Sequence, residues 1–218
     1  MAIEKLIEGF RSFRKIYYED QPKFYRALVE KGQSPDIMVI ACSDSRVNPS
    51  IITNAEPGEL FIVRNVANLV PPYQPDSHYH GTSAAIEFGV RDLAVKHIIV
   101  LGHSHCGGIK CLCEGYANTN QHEFIEDWMQ IVAPALDESL TGEDQLRRVE
   151  RQAVNVSLSN LITFPLVKRR VEEGGLTLHG WLFDLEAGAL LGYEADFGWQ
   201  TLTGKGAGVL ILIHNRVG

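Results

Sequence analysis

The sequence predicts an α/β fold: a mostly parallel central sheet flanked by helices, with an N-terminal helical arm and a C-terminal edge strand. Three observations predict it. Ile37–Ala41, Leu60–Val63 and His97–Leu101 are short, largely apolar runs, the pattern of strands buried on both faces. Between the second and third, residues 82–94 repeat apolar positions at helical spacing through Ala85, Ile86, Gly89, Val90 and Leu93. The third run leads through Gly107-Gly108 into another helix, and strands alternating with helices are the signature of a parallel sheet.

The remaining elements follow in order. Ile3, Leu6, Ile7, Phe10, Phe13 and Tyr17 recur at helical spacing, so residues 2–17 read as an amphipathic helix. Pro22 suits a first helical turn and opens a second helix, through Phe24, Leu28 and Val29, stopped at Gly32. Residues 2–32 therefore form a helical arm outside the α/β pattern. Residues 121–136 and 143–160 read as helices, and Thr163-Phe-Pro opens another that ends at Gly174-Gly175. Leu176–Leu185 reads as a strand, with Ala189–Tyr193 as its partner across the Glu186-Ala-Gly turn. No repeat or linker divides the chain, so residues 1–218 are expected to form a single domain. The tail, 203–218, is Gly-rich and then bare apolar from Val209 to Ile213. It reads as an edge strand used in assembly or as a segment foreign to the native chain.

Composition narrows the function. A chain of 218 residues, 45% hydrophobic and 22% charged, has ample material for one buried core and is not a disordered chain. A net charge of −7 with no basic run argues against a nucleic-acid partner. The longest apolar run, Ile37–Cys42, is far short of the ~20 residues a spanning helix needs, so no membrane segment is expected. The first 20 residues mix charges throughout and lack an apolar signal core, which favours the cytoplasm. In that reducing setting Cys42, Cys106, Cys111 and Cys113 are expected as thiols or metal ligands rather than a disulfide frame.

Two segments carry the chemistry. Ala41-Cys42-Ser43-Asp44-Ser45-Arg46 ends the first strand, and Gly102-His103-Ser104-His105-Cys106-Gly107-Gly108 ends the third. Ligand sites in parallel sheets lie at those ends. Cys42, His103 and Cys106 make a Cys2His set, the donors zinc prefers, with Asp44 a possible fourth. A lone cysteine ending a buried strand is ordinarily a small core residue, and a lone H-x-x-C is a weak signal. Two polar segments at two strand ends are harder to dismiss, because buried charges such as Asp44 and Arg46 are costly unless paired or metal-bound. A purely structural zinc knot is the competing reading. It usually shows paired C-x2-C knuckles, and this chain has one close pair at that spacing, His103 and Cys106. Cys106 also precedes a helix, whose N-terminus favours the thiolate. Cys111 and Cys113 are two apart on that helix, cannot share a face, and read as packing residues.

C-S-D-S-R followed by H-S-x-C-G-G resembles the β-class carbonic anhydrases, in their plant-like, open-site subgroup. The resemblance continues through Pro57-Gly-Glu-Leu-Phe, Val63-Arg-Asn-Val-Ala-Asn, Gly81-Thr-Ser-Ala-Ala-Ile-Glu and His179-Gly-Trp, over roughly residues 2–197. It implies one Zn2+ per chain, held by Cys42, His103 and Cys106, and a hydroxide on that zinc attacking carbon dioxide to give bicarbonate. It implies that Arg46 holds Asp44 off the metal, keeping the site open, while Asp44 orients the nucleophile. It also implies substrate contacts from Gln33 (across a subunit interface), Phe61, Val66 and the Gly107 amide. Phe88 stands where plant relatives have an aromatic hydroxyl, and Asp92 where they have a histidine. That leaves the proton shuttle open, with His78, His80 and His105 as substitutes. Val39 and Ala41 replace the tryptophan and glycine of the bicarbonate-regulated subgroup. The arm would wrap a neighbouring copy, giving a homodimer or a dimer of dimers. Two rival readings remain: hydrolysis of carbonyl sulfide or carbon disulfide on the same scaffold, and a zinc- or redox-sensing interaction protein without catalysis.

Overall fold

The computed structural model describes residues 2–115 and 122–203, and the chain divides into two units, 1–34 and 35–218. The first unit holds α1 (Ala2–Arg14), which runs on through a π-helical turn (Lys15–Asp20), and α2 (Pro22–Lys31). Its centre is aromatic: the Phe13, Tyr17 and Tyr25 rings lie 4.9–5.6 Å apart. Neither helix contains a buried residue, and Ile3, Leu6 and Phe10 are each more than half exposed.

The second unit is built on a six-stranded sheet. Its strands are β1 (Ile37–Cys42), β2 (Leu60–Asn65), β3 (His97–His103), β4 (Thr177–Asp184), β5 (Ala189–Glu194) and β6 (Gly198–Thr201). They lie in the order β2-β1-β3-β4-β5-β6. The first four run parallel, and β5 and β6 add antiparallel at one edge, as the α/β expectation requires. Because the chain goes one way from β1 to β2 and the other way to β3, the order switches at β1 and β3. In open α/β sheets such a switch point is where ligand sites lie, beyond the C-terminal ends of the strands.

Alternation along the strands distributes the core. Met38, Ile40, Ile98 and Val100 face one side, against Ile86, Val90, Val154, Leu161 and Val167. Val39, Ala41, Ile99 and Leu101 face the other, with Val47. The first face is covered by α4 (Gly81–Glu87), α7 (Gly142–Thr163) and α8 (Pro165–Glu172). At the C-terminal end of that face, Cys42 and Cys106 join Ile109, Leu112, Met129 and Val149 in a separate cluster. It is closed by α5 (Gly107–Cys113) and α6 (Ile125–Met129). Each such side chain, fully buried, contributes on the order of 1.5–3 kcal/mol.

Some expectations are corrected. Residues 121–136 are not one helix: after α6 the chain turns, and a 3-10 turn follows at Ala133–Ala135. Pro134 has no N–H to extend an α-helix, and its ring clashes with the preceding turn. The 82–94 helix widens into a π-helical turn at Phe88–Asp92. A short helix not read from the sequence, α3 (Pro49–Thr53), starts where the Asn48 side chain accepts the Ser50 amide at 3.1 Å. The edge strand read at 209–213 lies outside the described residues, as does nearly all of the 203–218 tail. Among the described residues, no helix is long and apolar enough to cross a membrane.

Candidate metal centre

The parallel register brings the two chemical segments together. Cys42 ends β1, His103 ends β3, and Cys106 follows on the loop into α5. Their ligand atoms all lie within 4.8 Å of one another, and all three residues are buried. Two sulfurs each ~2.3 Å from a tetrahedral zinc stand ~3.8 Å apart; Cys42 Sγ and Cys106 Sγ are 3.9 Å apart. His103 Nδ1 lies 2.8 Å from the Ser104 carbonyl. A carbonyl only accepts, so Nδ1 carries the proton and Nε2 presents its lone pair. That Nε2 is buried and has no hydrogen-bond partner, which leaves its lone pair available to ligate a metal.

The thiols point the same way. Donation from the Cys106 thiol, opposed by burial and helped by His103, holds the Cys42 thiol down. The resulting thiolate and burial push Cys106 up. A thiolate pair of this kind is favoured where a cation offsets its charge. The residues present fit zinc in donor type and spacing.

Asp44 sits beside this cluster but is turned into a guanidinium. Arg46 Nε donates to Oδ1 at 2.9 Å and Nη2 to Oδ2 at 2.7 Å, while the Arg46 amide also reaches Oδ1 at 2.9 Å. Arg46, partly offset by burial, holds the Asp44 carboxyl far below the usual carboxylate range. The Asp44 side chain is 15% exposed, so a bidentate pair there is screened less than an open surface pair.

Three residues supporting the centre were not read from the sequence. Arg64, at the end of β2, donates to the carbonyls of Cys42 (2.9 Å), Asp44 (2.7 Å) and Val47 (2.9 Å), stitching the loop after β1. A charge closing an apolar strand was its available signal. Glu150 and Arg147, on α7, reach the Cys106 loop and gave no local signal. Burial pushes the Glu150 carboxyl up, opposed by the Cys106 amide and Arg147.

The expected substrate residues divide. Val66 follows Asn65, the register partner of Cys42, and Gly107 opens α5, so both belong to the metal end. Phe61 pairs with Met38, four residues or ~13 Å back along β2 from Asn65. It meets Phe88 with ring centroids 5.9 Å apart. Within one chain these two aromatics are not brought to the ligands. Gln33 is exposed and belongs to the first unit.

A parallel α/β sheet with a buried Cys2His set at its switch point, flanked by a tethered carboxylate, defines a candidate metal-binding α/β protein. Comparison with known proteins narrows the class. The carbonic anhydrase family model matches residues 37–190. Beta carbonic anhydrase 3 of Arabidopsis thaliana is 44% identical over 204 residues, 90% of this chain and 78% of that protein. The structure of the β-carbonic anhydrase CcaA is 34% identical, with a TM-score of 0.84 over 94% of this chain and 93% of that one. A β-carbonic anhydrase of Sordaria macrospora, described as tetrameric, is 27% identical, with a TM-score of 0.75 over 88% and 96%. The chain belongs to the β-class carbonic anhydrases.

Proposed function

We propose that this chain catalyses the reversible hydration of carbon dioxide to bicarbonate and a proton, with one Zn2+ held by Cys42 Sγ, His103 Nε2 and Cys106 Sγ. The observation that carries the reading is the unpartnered, buried His103 Nε2 facing two thiols 3.9 Å apart. Zinc, when bound, supplies a Lewis acid that makes water a nucleophile near neutral pH.

The remaining work falls to the chain. Arg46 engages both Asp44 oxygens, so the carboxylate does not close the site as a fourth ligand. Asp44 Oδ1 already accepts two N–H bonds and Oδ2 only one, so Oδ2 has a free lone pair for the proton of the attacking water. That bond orients the oxygen toward substrate. Val66 offers an apolar wall suited to a nonpolar gas, and the Gly107 amide is a donor for a bicarbonate oxygen. Gln33, Phe61 and Phe88 complete the pocket from a second subunit, which accounts for the aromatics' distance from their own chain's ligands. The active unit is then a homodimer or a dimer of dimers, and its ligand thiols suit a reducing compartment such as the cytoplasm.

Within the family the chain belongs to the plant-like, open-site subgroup. Supporting this, Val39 is 2% exposed and packed among Ala41, Val47, Ile99 and Leu101, which leaves no anion pocket at that position. The test is stopped-flow carbon dioxide hydration with elemental analysis, on the wild type and on Asp44→Ala. The expected result is one zinc per chain in both and a hydration rate at least ~10²-fold lower in the variant. A zinc-replete wild type that does not hydrate carbon dioxide refutes the proposal.

A further inference from the structure

Glu150 has no part in the chemistry above, yet its carboxylate lies beneath the centre. It is 2% exposed, on α7. Oε1 accepts the Cys106 backbone N–H at 2.9 Å, and Oε2 accepts Arg147 Nη1 at 3.0 Å. A buried carboxylate is costly unless it is so engaged. Cys106 needs that acceptor. It stands at the N-cap of α5 with extended backbone, and its own side chain makes no capping bond because the sulfur faces Cys42. The N–H groups at a helix start have no intrahelical partner.

The same support reaches further along the loop. Arg147 Nη2 lies 2.7 Å from His105 Nε2, and the His105 carbonyl accepts Arg46 Nη2 at 2.9 Å. His105 sits at φ 58, a left-handed conformation that is strained for a non-glycine residue and persists where its surroundings hold it.

We propose that Glu150, braced by Arg147, is a positioning residue of the metal centre: its buried carboxylate fixes the Cys106 amide and so aims Cys106 Sγ at the metal. This rests on the reading that Cys42, His103 and Cys106 hold zinc. Loss of such an outer partner typically costs 10–100-fold in metal affinity.

The test uses the full chain as wild type, Glu150→Ala, Glu150→Gln and Ser157→Ala. Ser157 is a buried α7 residue bonded to Val70 and Asn68, and its variant controls for lost stability alone. Two quantities are read at a temperature where circular dichroism shows the proteins folded: zinc affinity against a chelator, and the thiolate-to-metal absorption band of the Co2+-loaded protein. Glu150→Ala is expected to hold zinc 10–100-fold less tightly, with a shifted cobalt band. Glu150→Gln, whose amide oxygen still accepts from Cys106, falls between it and wild type and decides the question if Glu150→Ala does not fold. Ser157→Ala loses thermal stability but keeps wild-type affinity. Folded Glu150 variants that hold zinc within twofold of wild type, with an unchanged cobalt band, overturn the proposal. A wild type that binds neither metal overturns the zinc reading itself, and this proposal with it.

Discussion

Replacing Gly108 by Ala sets two effects against each other. Helix propensity alone favours alanine by about 1 kcal/mol, and by less in a first turn. Packing opposes it. A Cβ at Gly108 would lie 2.6 Å from Val66 Cγ1, about 0.8 Å inside the 3.4 Å at which ordinary contacts begin. Val66 is β-branched and stiff about χ1, so it does not swing aside freely. Ala67 Cβ at 3.5 Å and Met129 Sδ at 3.6 Å close off lateral escape. Overpacking of this kind costs about 1–3 kcal/mol, so the net expectation is a loss of about 1–2 kcal/mol. For a chain of this size that lowers Tm by ~2–8 °C. The assay is thermal unfolding of the metal-loaded protein at one scan rate, run as a double-mutant cycle with Val66→Ala. Removing the offending methyl should abolish the penalty, leaving Gly108→Ala neutral or stabilising in that background. A raised Tm in the single variant, or an equal drop in both backgrounds, refutes the steric account.

Three further outcomes are expected. Cys42→Ser should lose zinc by elemental analysis, because a hydroxyl does not ionise to replace the thiolate; stoichiometric zinc in the variant contradicts the ligand assignment. His179 is held down to about 4, first by burial and then by His97, below the ~6.5 of an unfolded chain. The unfolded state therefore binds the extra proton, and stability present above pH 6.5 is lost as pH falls toward 4, by an amount on the order of 3 kcal/mol. Urea midpoints between pH 7 and 4 should fall less steeply for His179→Gln, and equal slopes contradict this. Bicarbonate inhibition should be hyperbolic, since Asp44 stays paired with Arg46 and no second anion site favours its release; a sigmoidal curve places the chain in the regulated subgroup.

What was legible in the sequence is what local pattern encodes. Ile37–Ala41 and His97–Leu101 read as buried strands because both faces are apolar, and the polar segments that follow marked Cys42, Asp44, Arg46, His103 and Cys106. What was not legible depends on distance along the chain. Glu150 looks like any helical glutamate until α7 crosses β3 and places it under Cys106, 44 residues away in sequence. Arg64 likewise acts on carbonyls 17–22 residues before it, a connection set only by the β1–β2 register. Helical periodicity over 121–136 was real but weaker than Pro134. The strand at Gly198–Thr201 was missed because four residues carry too little alternation to register.

The parallel crossover that sets Cys42 beside Cys106 also imposes an order in time. The two thiols are 64 residues apart in sequence, and a ribosome adding ~5–20 residues per second needs about 3–13 s to go from one to the other. During that interval Cys42 is an unpartnered thiol on a growing chain, and β1 has only β2 to pair with. The centre assembles after β3 docks on β1, and all three ligands are on the chain before β4, β5 and β6 are made, so metal capture requires the β1–β3 pair and not the finished sheet. Nascent chains stalled before residue 97 should leave Cys42 open to alkylation, and chains released past α5 should protect it.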